Sequence, residues 1–216
     1  MDRRRADTIA ETLEERILEG AYASETRLDE VRLAEEFDVS RTPVREAFAS
    51  LAQSGLVEQV PRRGVFVRQP GPRELMEMFE MAAELEAVAA RLAAARMSEA
   101  GLNALRAANA DCAAALPDAD AYYRANESFH RLIFEGSGNR FVEEDCRRLQ
   151  RRLRPFRRLQ LRLRGRLPQS LDEHSACISA IEAGNGALAA DIMRRHVAIQ
   201  GEKFHLLMAQ YEAEAS

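Results

Sequence analysis

The breaker cluster Gln69-Pro70-Gly71-Pro72-Arg73 constrains this chain more than any other feature. Two prolines around a glycine let neither a helix nor a strand run through. The cluster divides the 216 residues into a first domain, 1–70, and a second, 71–216. Beyond it, the chain is rich in Ala, Leu, Glu and Arg, with helical periodicity and no β-branched runs. That pattern predicts an all-helical bundle. Six helices are expected, roughly Glu74–Arg96, Glu99–Leu116, Ala119–Glu135, Arg140–Arg164, Leu171–Ala183 and Gly186–Glu212, separated by Pro and Gly stops. Ser170 and Glu173 have the spacing of a capping box, and Asn139 and Asn185 that of caps.

Before the breaker, the pattern is three helices and a hairpin. Ile9, Leu13 and Ile17 recur every four residues, and Gly20 follows. Asp29 can cap a helix over Glu30–Phe37, with Leu28 and Leu33 placed as a hydrophobic staple. A third helix, Arg41–Gln53, starts at Ser40 or Thr42 and tolerates Pro43 in its first turn. Leu56–Val60 and Val65–Arg68 are strands joined by Pro61-Arg62-Arg63-Gly64. Two helices around a tight turn, then a hairpin, describe a winged helix-turn-helix. The fold class is thus mostly α: a small winged domain followed by a helical bundle.

In the third helix, Val44, Ala47, Phe48 and Leu51 form the inward stripe, which leaves Thr42, Arg45, Glu46 and Ala49 outside. Arg41 and Thr42 lie at the N-terminal end, the end that usually enters the major groove. Arginine forks onto guanine, threonine contacts phosphate or a thymine methyl, and free N–H groups at a helix start favour phosphate. Arg62 and Arg63 at the hairpin tip suit phosphates or the minor groove, with Gly64 allowing the turn. The whole chain carries −4, and residues 1–70 carry 11 Arg against 14 acids, yet residues 39–70 carry 5 Arg against 2 Glu. Only the reading face is positive.

The run Leu33-Ala34-Glu35-Glu36-Phe37-Asp38-Val39-Ser40-Arg41-Thr42-Pro43-Val44-Arg45-Glu46-Ala47-Phe48 resembles the signature of GntR-type bacterial transcription regulators. Gly55-Leu56-Val57 and Arg63-Gly64-Val65-Phe66-Val67 continue it. The resemblance implies DNA contacts at Arg41, Thr42, Arg45 and the wing near Gly64. With Ser40 at the helix start and Arg62 and Arg63 on the wing, these are the candidate DNA-binding residues.

The longest stretch without a charged residue is Ala47–Val57, 11 residues, against the roughly 18–20 that a membrane span needs. Met1-Asp2-Arg3-Arg4-Arg5 is followed by no apolar run, so a secretory signal is not expected. Cys112, Cys146 and Cys177 are odd in number and far apart, which fits reduced thiols and a cytoplasmic chain.

All four histidines follow the breaker. Asn126 and His130, four apart, share an inward face with Tyr122, Phe129 and Ile133. His174 lies on the stripe of Leu171, Ile178 and Ile181, and His196 on that of Leu188, Ile192, Met193 and Ile199. His205 should face elsewhere. Three imidazoles and one oxygen suit Zn²⁺ or Ni²⁺, and Mn²⁺ less well. The spacing alone leaves a set of satisfied core histidines equally open. The pieces Asn126-x-x-x-His130, Glu173-His174 and Arg195-His196-Val197, with Ala180-Ile181-Glu182-Ala183-Gly184 between, resemble the FCD-type effector domain of FadR-like regulators. The resemblance implies a bundle of six or seven helices, dimerisation through it, and in metal-binding members a divalent ion on an acid or amide and three histidines. Aspartate is the commoner first ligand. Asn126 supplies an oxygen without charge and should hold the ion less tightly.

Arg147–Arg166 holds ten arginines and no acid. An inward stripe of Leu149, Leu153, Phe156, Gln160 and Leu163 would point most of them to solvent. Arg152 falls inside the inward arc, where an arginine needs an anion, and Arg148 is the second candidate. That anion would be an effector carboxylate or an internal acid such as Glu84 or Glu86. The combined reading is a homodimeric, ligand-responsive repressor on palindromic operator DNA, sensing a small organic acid with or without a divalent metal. A metal-dependent hydrolase and a ligand-independent DNA-binding protein are the alternatives. No His-Glu-x-x-His pattern or nucleophile–base pair supports an enzyme.

Overall fold

The computed structural model describes residues 2–199 and 204–209, with side chains from Arg5 onward. The chain forms two compact units, one running to Gly71 and the other starting at Pro72.

In the first unit, α1 (Asp2–Leu18) is followed by β1 (Arg27–Leu28), α2 (Glu30–Glu36), α3 (Arg41–Gln53), β2 (Val57–Val60) and β3 (Gly64–Val67). Asp29 caps α2 by accepting from the N–H groups of Val31 and Arg32. Gly55, at φ 74°, turns the chain from α3 toward β2. The strand β1 is an addition to the expected hairpin. It is two residues long, below what alternation can reveal, and pairs antiparallel with β3, with Arg27 opposite Phe66. The sheet order is β1-β3-β2. Leu13, Val44, Ala47, Phe48, Leu51 and Val67 are buried in one core, which fixes the outward face of α3.

The second unit contains α4 (Pro72–Arg96), α5 (Glu99–Ala114), α6 (Ala119–Gly136), α7 (Arg140–Arg162), α8 (Arg166–Glu182) and α9 (Gly186–Val197). A further helical stretch covers 204–209. The long α4 packs against α6, α7, α8 and α9. Its buried alanines, among them Ala82, Ala83, Ala89, Ala90 and Ala93, together with Ala189 on α9, keep the two backbones close. At Gly186 an added Cβ would lie 2.9 Å from the carbonyl oxygen of Arg91.

Two expectations fail here. The helix expected at Leu171 starts at Arg166, because Gly165 in the left-handed region ends the preceding turn and Pro168 is accommodated in the first turn. Ser170 is therefore a buried interior residue and not a cap. The helix expected over Gly186–Glu212 ends at Val197, where Ala198 turns extended at ψ 133°. Residues 200–203 and 210–212 of that expectation lie outside the described residues.

Candidate DNA-reading surface and candidate metal centre

On α3, Val44, Ala47, Phe48 and Leu51 face the core, and Arg41, Thr42, Arg45, Glu46 and Ala49 are exposed. Ser40 is the N-cap residue, but its side chain makes no capping hydrogen bond. Arg41 and Arg45 lie four apart on one face, and both donate through Nε to the carboxylate of Glu30. The Arg45 contact is 2.9 Å. Burial raises the Glu30 pKa, but hydrogen bonds from Arg45 and Arg41 outweigh it and hold the carboxyl below its ordinary value. At the tip of the wing Arg62 and Arg63 are exposed. Arg62 adopts φ 64°, and the Arg63 guanidinium sits 5.6 Å from the Phe66 ring centroid. Gly64 has φ 117°, and an added Cβ would meet Arg27 Nε at 3.0 Å. Arg27, which the sequence reading did not single out, is thus a neighbour of the wing turn.

In the helical unit α6, α8 and α9 bring His130, His174 and His196 together. All three are buried, and one nitrogen of each lies within 4.8 Å of the others. His130 Nε2 and His196 Nε2 are 3.1 Å apart. Asn126, one turn before His130, is buried too. His205 is exposed on the 204–209 stretch. A carboxylate holds the far nitrogen of two of the rings: Glu86 Oε2 lies 2.6 Å from His130 Nδ1, and Glu173 Oε2 lies 2.7 Å from His196 Nδ1. His174 stacks on Phe129, ring centroids 3.8 Å apart.

Three buried atoms test whether this cluster suits an ion. Asn126 Oδ1, His174 Nδ1 and His174 Nε2 have no hydrogen-bond partner within the protein. Buried polar atoms are rarely left so, and a cluster of them calls for an ion or water. Two ligand nitrogens on one ion at about 2.0–2.1 Å lie roughly 2.9–3.4 Å apart, and the His130–His196 separation falls in that range. Carboxylate partners on the far nitrogens are the usual support of metal-ligating imidazoles. The residues fit a divalent ion.

The electrostatics favour the neutral form of His174 and of His196. Burial pushes the His174 pKa well below its ordinary value, helped by charge on His196 and His130. Burial does the same to His196, with His130 and Arg166 adding to it. Burial would raise Glu86, but Arg157 and His130 overcome it and bring its pKa down to about 2.

A cavity of about 20 Å³ adjoins the cluster, lined by Asn126, His130 and His196 together with Arg157, Gln160 and Arg166. Among the described residues the buried arginines are therefore Arg157 and Arg166, not the expected Arg152 and Arg148. Arg152 pairs with Glu74 at 3.3 Å instead of Glu84 or Glu86, and Arg148 is exposed beside Asp145. The cause is the phase of α7. Its buried stripe runs Cys146, Gln150, Leu153, Arg157, Gln160, which turns Arg157 onto Glu86. Arg166 donates to Glu173 at 2.8 Å and to the His196 carbonyl at 3.0 Å. Most other arginines of this segment meet acids: Arg147 meets Glu135, Arg154 meets Glu127, and Arg158 and Arg162 meet Asp120. The arginine-rich helix is a zipper of ion pairs. No helix among the described residues is long and apolar enough to cross a membrane.

A winged helix with exposed arginines on its third helix, joined in sequence to a helical bundle with a buried histidine cluster, defines a two-domain DNA-binding regulator. Comparison with known proteins gives the family. Residues 5–67 match the model for bacterial regulatory proteins of the gntR family, and residues 77–199 match that of the FCD domain. The chain belongs to the GntR family of transcription regulators, in the branch carrying an FCD domain. It is 28% identical over 208 residues to the galactonate operon transcriptional repressor of Escherichia coli K12, covering 86% of this chain and 90% of that protein. It is 30% identical over 192 residues to the transcriptional regulator LutR of Bacillus subtilis, covering 79% and 88%. The fold is shared with E. coli McbR/YncC at a TM-score of 0.76 and 22% identity, covering 96% of this chain and 98% of that one. A GntR-type regulator from Rhodococcus sp. RHA1 follows at 0.68 and 23%, covering 98% and 97%.

Proposed function

We propose that this regulator is a metal-dependent sensor of a small carboxylate and acts as a repressor. Two copies would bind one palindromic operator, since a single winged helix offers few base contacts and a symmetric dimer needs two half-sites. Ser40, Arg41, Thr42 and Arg45 would read the major groove, and Arg62, Arg63 and Gly64 would lie over the backbone or the minor groove.

One observation carries the sensing half of this reading: three buried imidazoles and an unpartnered Asn126 oxygen beside a cavity lined by a buried arginine. Asn126, His130, His174 and His196 would hold the ion, with Zn²⁺ or Ni²⁺ preferred over Mn²⁺ by this donor set. An ion held there would supply a Lewis-acid site for a carboxylate oxygen. Glu86 and Glu173 orient the His130 and His196 rings. Arg166 and Gln160 stand where a carboxylate's second oxygen or a neighbouring hydroxyl would be recognised. Arg166 also touches the backbone of His196 near the end of α9, so a ligand drawing on Arg166 acts on that helix end. Such an effector shifts DNA affinity only by its differential binding to two states, typically ~1–3 kcal/mol.

A hydrolase would need a general base aimed at a metal-bound water. The acids nearest the cluster, Glu86 and Glu173, are already engaged with ring nitrogens and arginines. The deciding experiment is native mass spectrometry of freshly purified protein, which reads oligomer, ion and carried-over ligand together. A metal-loaded dimer is expected. A metal-free monomer that binds its operator with full affinity would overturn the reading.

A further inference from the structure

Glu30 is the first residue of α2, and Arg41 is the first of α3. Arg45 follows one turn later on the same face. The two oxygens of the single Glu30 carboxylate are divided between them: Oε1 accepts from Arg41 Nε and Oε2 from Arg45 Nε. The Glu30 side chain is 23% exposed, whereas those of Arg41 and Arg45 are 57% and 61% exposed. The acid lies beneath and the two arginines reach past it into solvent.

The pair of contacts is a weak explanation of stability, because exposed ion pairs contribute little. It is a strong constraint on orientation. A guanidinium has five N–H donors in a rigid plane, and engaging Nε leaves the two Nη groups as an outward fork. That fork matches the O6 and N7 acceptors of guanine. Two arginines four apart also repel, and left free they would splay toward phosphates and lose rotamer entropy on each base contact. We propose that Glu30 is the positioning residue that sets base specificity: it grips Arg41 and Arg45 together by their Nε edges and presents both forks to the major groove. The inference rests on the assignment of Arg41 and Arg45 as DNA-reading residues.

Two opposite effects follow from removing Glu30. Contacts to the correct bases lose their preset geometry, and the reading face gains one unit of positive charge, which favours phosphate without regard to sequence. The ratio of specific to non-specific affinity is therefore the informative quantity. A purely structural residue would lower both affinities together, and a purely electrostatic brake would raise both.

The test begins with the full-length protein selecting its preferred duplex from a random pool. Wild type, Glu30→Gln and Glu30→Ala are then titrated at one salt concentration on that duplex and on a scrambled duplex of equal length. The clamp predicts that the ratio falls about tenfold or more, while affinity for the scrambled duplex is unchanged or higher. In an Arg41→Ala/Arg45→Ala background, Glu30→Gln should leave the ratio where it was. Circular dichroism of each variant confirms folding, and the conservative Gln variant serves if the Ala variant unfolds. An unchanged ratio, or a parallel shift on both duplexes, overturns the clamp. If Arg41→Ala and Arg45→Ala themselves leave the ratio unchanged, the reading assignment falls instead.

Discussion

His130 and His196 lie 66 residues apart in sequence on α6 and α9, yet their Nε2 atoms face each other at 3.1 Å. Each has its far nitrogen on a different carboxylate, Glu86 or Glu173. Such an arrangement aims both rings at one point, and loading that point should bind the helices together. Saturating Zn²⁺ at 100–1,000 times its Kd should stabilise the protein by about 2.7–4.1 kcal/mol. His130→Ala should abolish both the ion found by elemental analysis and the Zn²⁺-induced rise in melting temperature. A full equivalent of metal retained by His130→Ala would rule out the site.

The Arg157–Glu86 pair is buried on both sides, with side chains 7% and 2% exposed. Removing one partner of such a pair leaves an uncompensated charge and costs ~3–5 kcal/mol. Arg157→Met should therefore lower the unfolding free energy by about that amount in a denaturant titration. Adding Glu86→Gln should recover most of the loss, because the orphaned charge is then gone. Equal losses from the single and double variants would contradict this account.

Acid should destabilise the metal-free protein in two stages of the same sign. His174 and His196 are held neutral in the fold, so their folded pKa values lie below the ordinary 6.5. The unfolded chain then takes up protons first, and stability is lost as pH falls through about 6.5. Glu86 has a folded pKa of about 2 against an ordinary 4.5, so its contribution is present above 4.5 and lost as pH falls toward 2. Chelator-treated protein should show a denaturant midpoint that drops between pH 7.5 and 5.5. Metal-loaded protein should drop more steeply, since protons then also compete with the ion. A midpoint that stays level across this range would mean that these rings are not buried in neutral form.

What the sequence revealed follows from what it can encode locally. Helix α3 matches its expected bounds, Arg41–Gln53, because Pro43, the apolar stripe and Gly55 are all local signals. Asn126, His130, His174 and His196 could be placed inward by periodicity on three separate helices, but their convergence on one point depends on how those helices cross. Arg157 was missed because α7 has few apolar residues and ten nearby arginines, so two phases of the stripe fit equally well. The choice is made by Glu86, 71 residues away. The end of α9 was missed for a similar reason: Ala198 is no helix breaker in itself.

Asn126 offers the sharpest separation of ligand from core residue. Its Oδ1 is buried and unpartnered, beside the buried imidazoles of His130 and His196. Asn126→Asp preserves the shape of the side chain and adds a negative charge. With an ion present that charge is attractive, and metal affinity should rise by about tenfold, equivalent to ~1.4 kcal/mol. Without an ion the carboxylate is a buried charge lacking a donor, so the chelator-treated variant should be less stable than wild type by ~1–3 kcal/mol. The two effects have opposite signs on one protein. Calorimetric titration with Zn²⁺ and melting curves with and without chelator read them separately. An ordinary core amide would give the second effect without the first, because a loss of packing confers no gain in affinity for a cation.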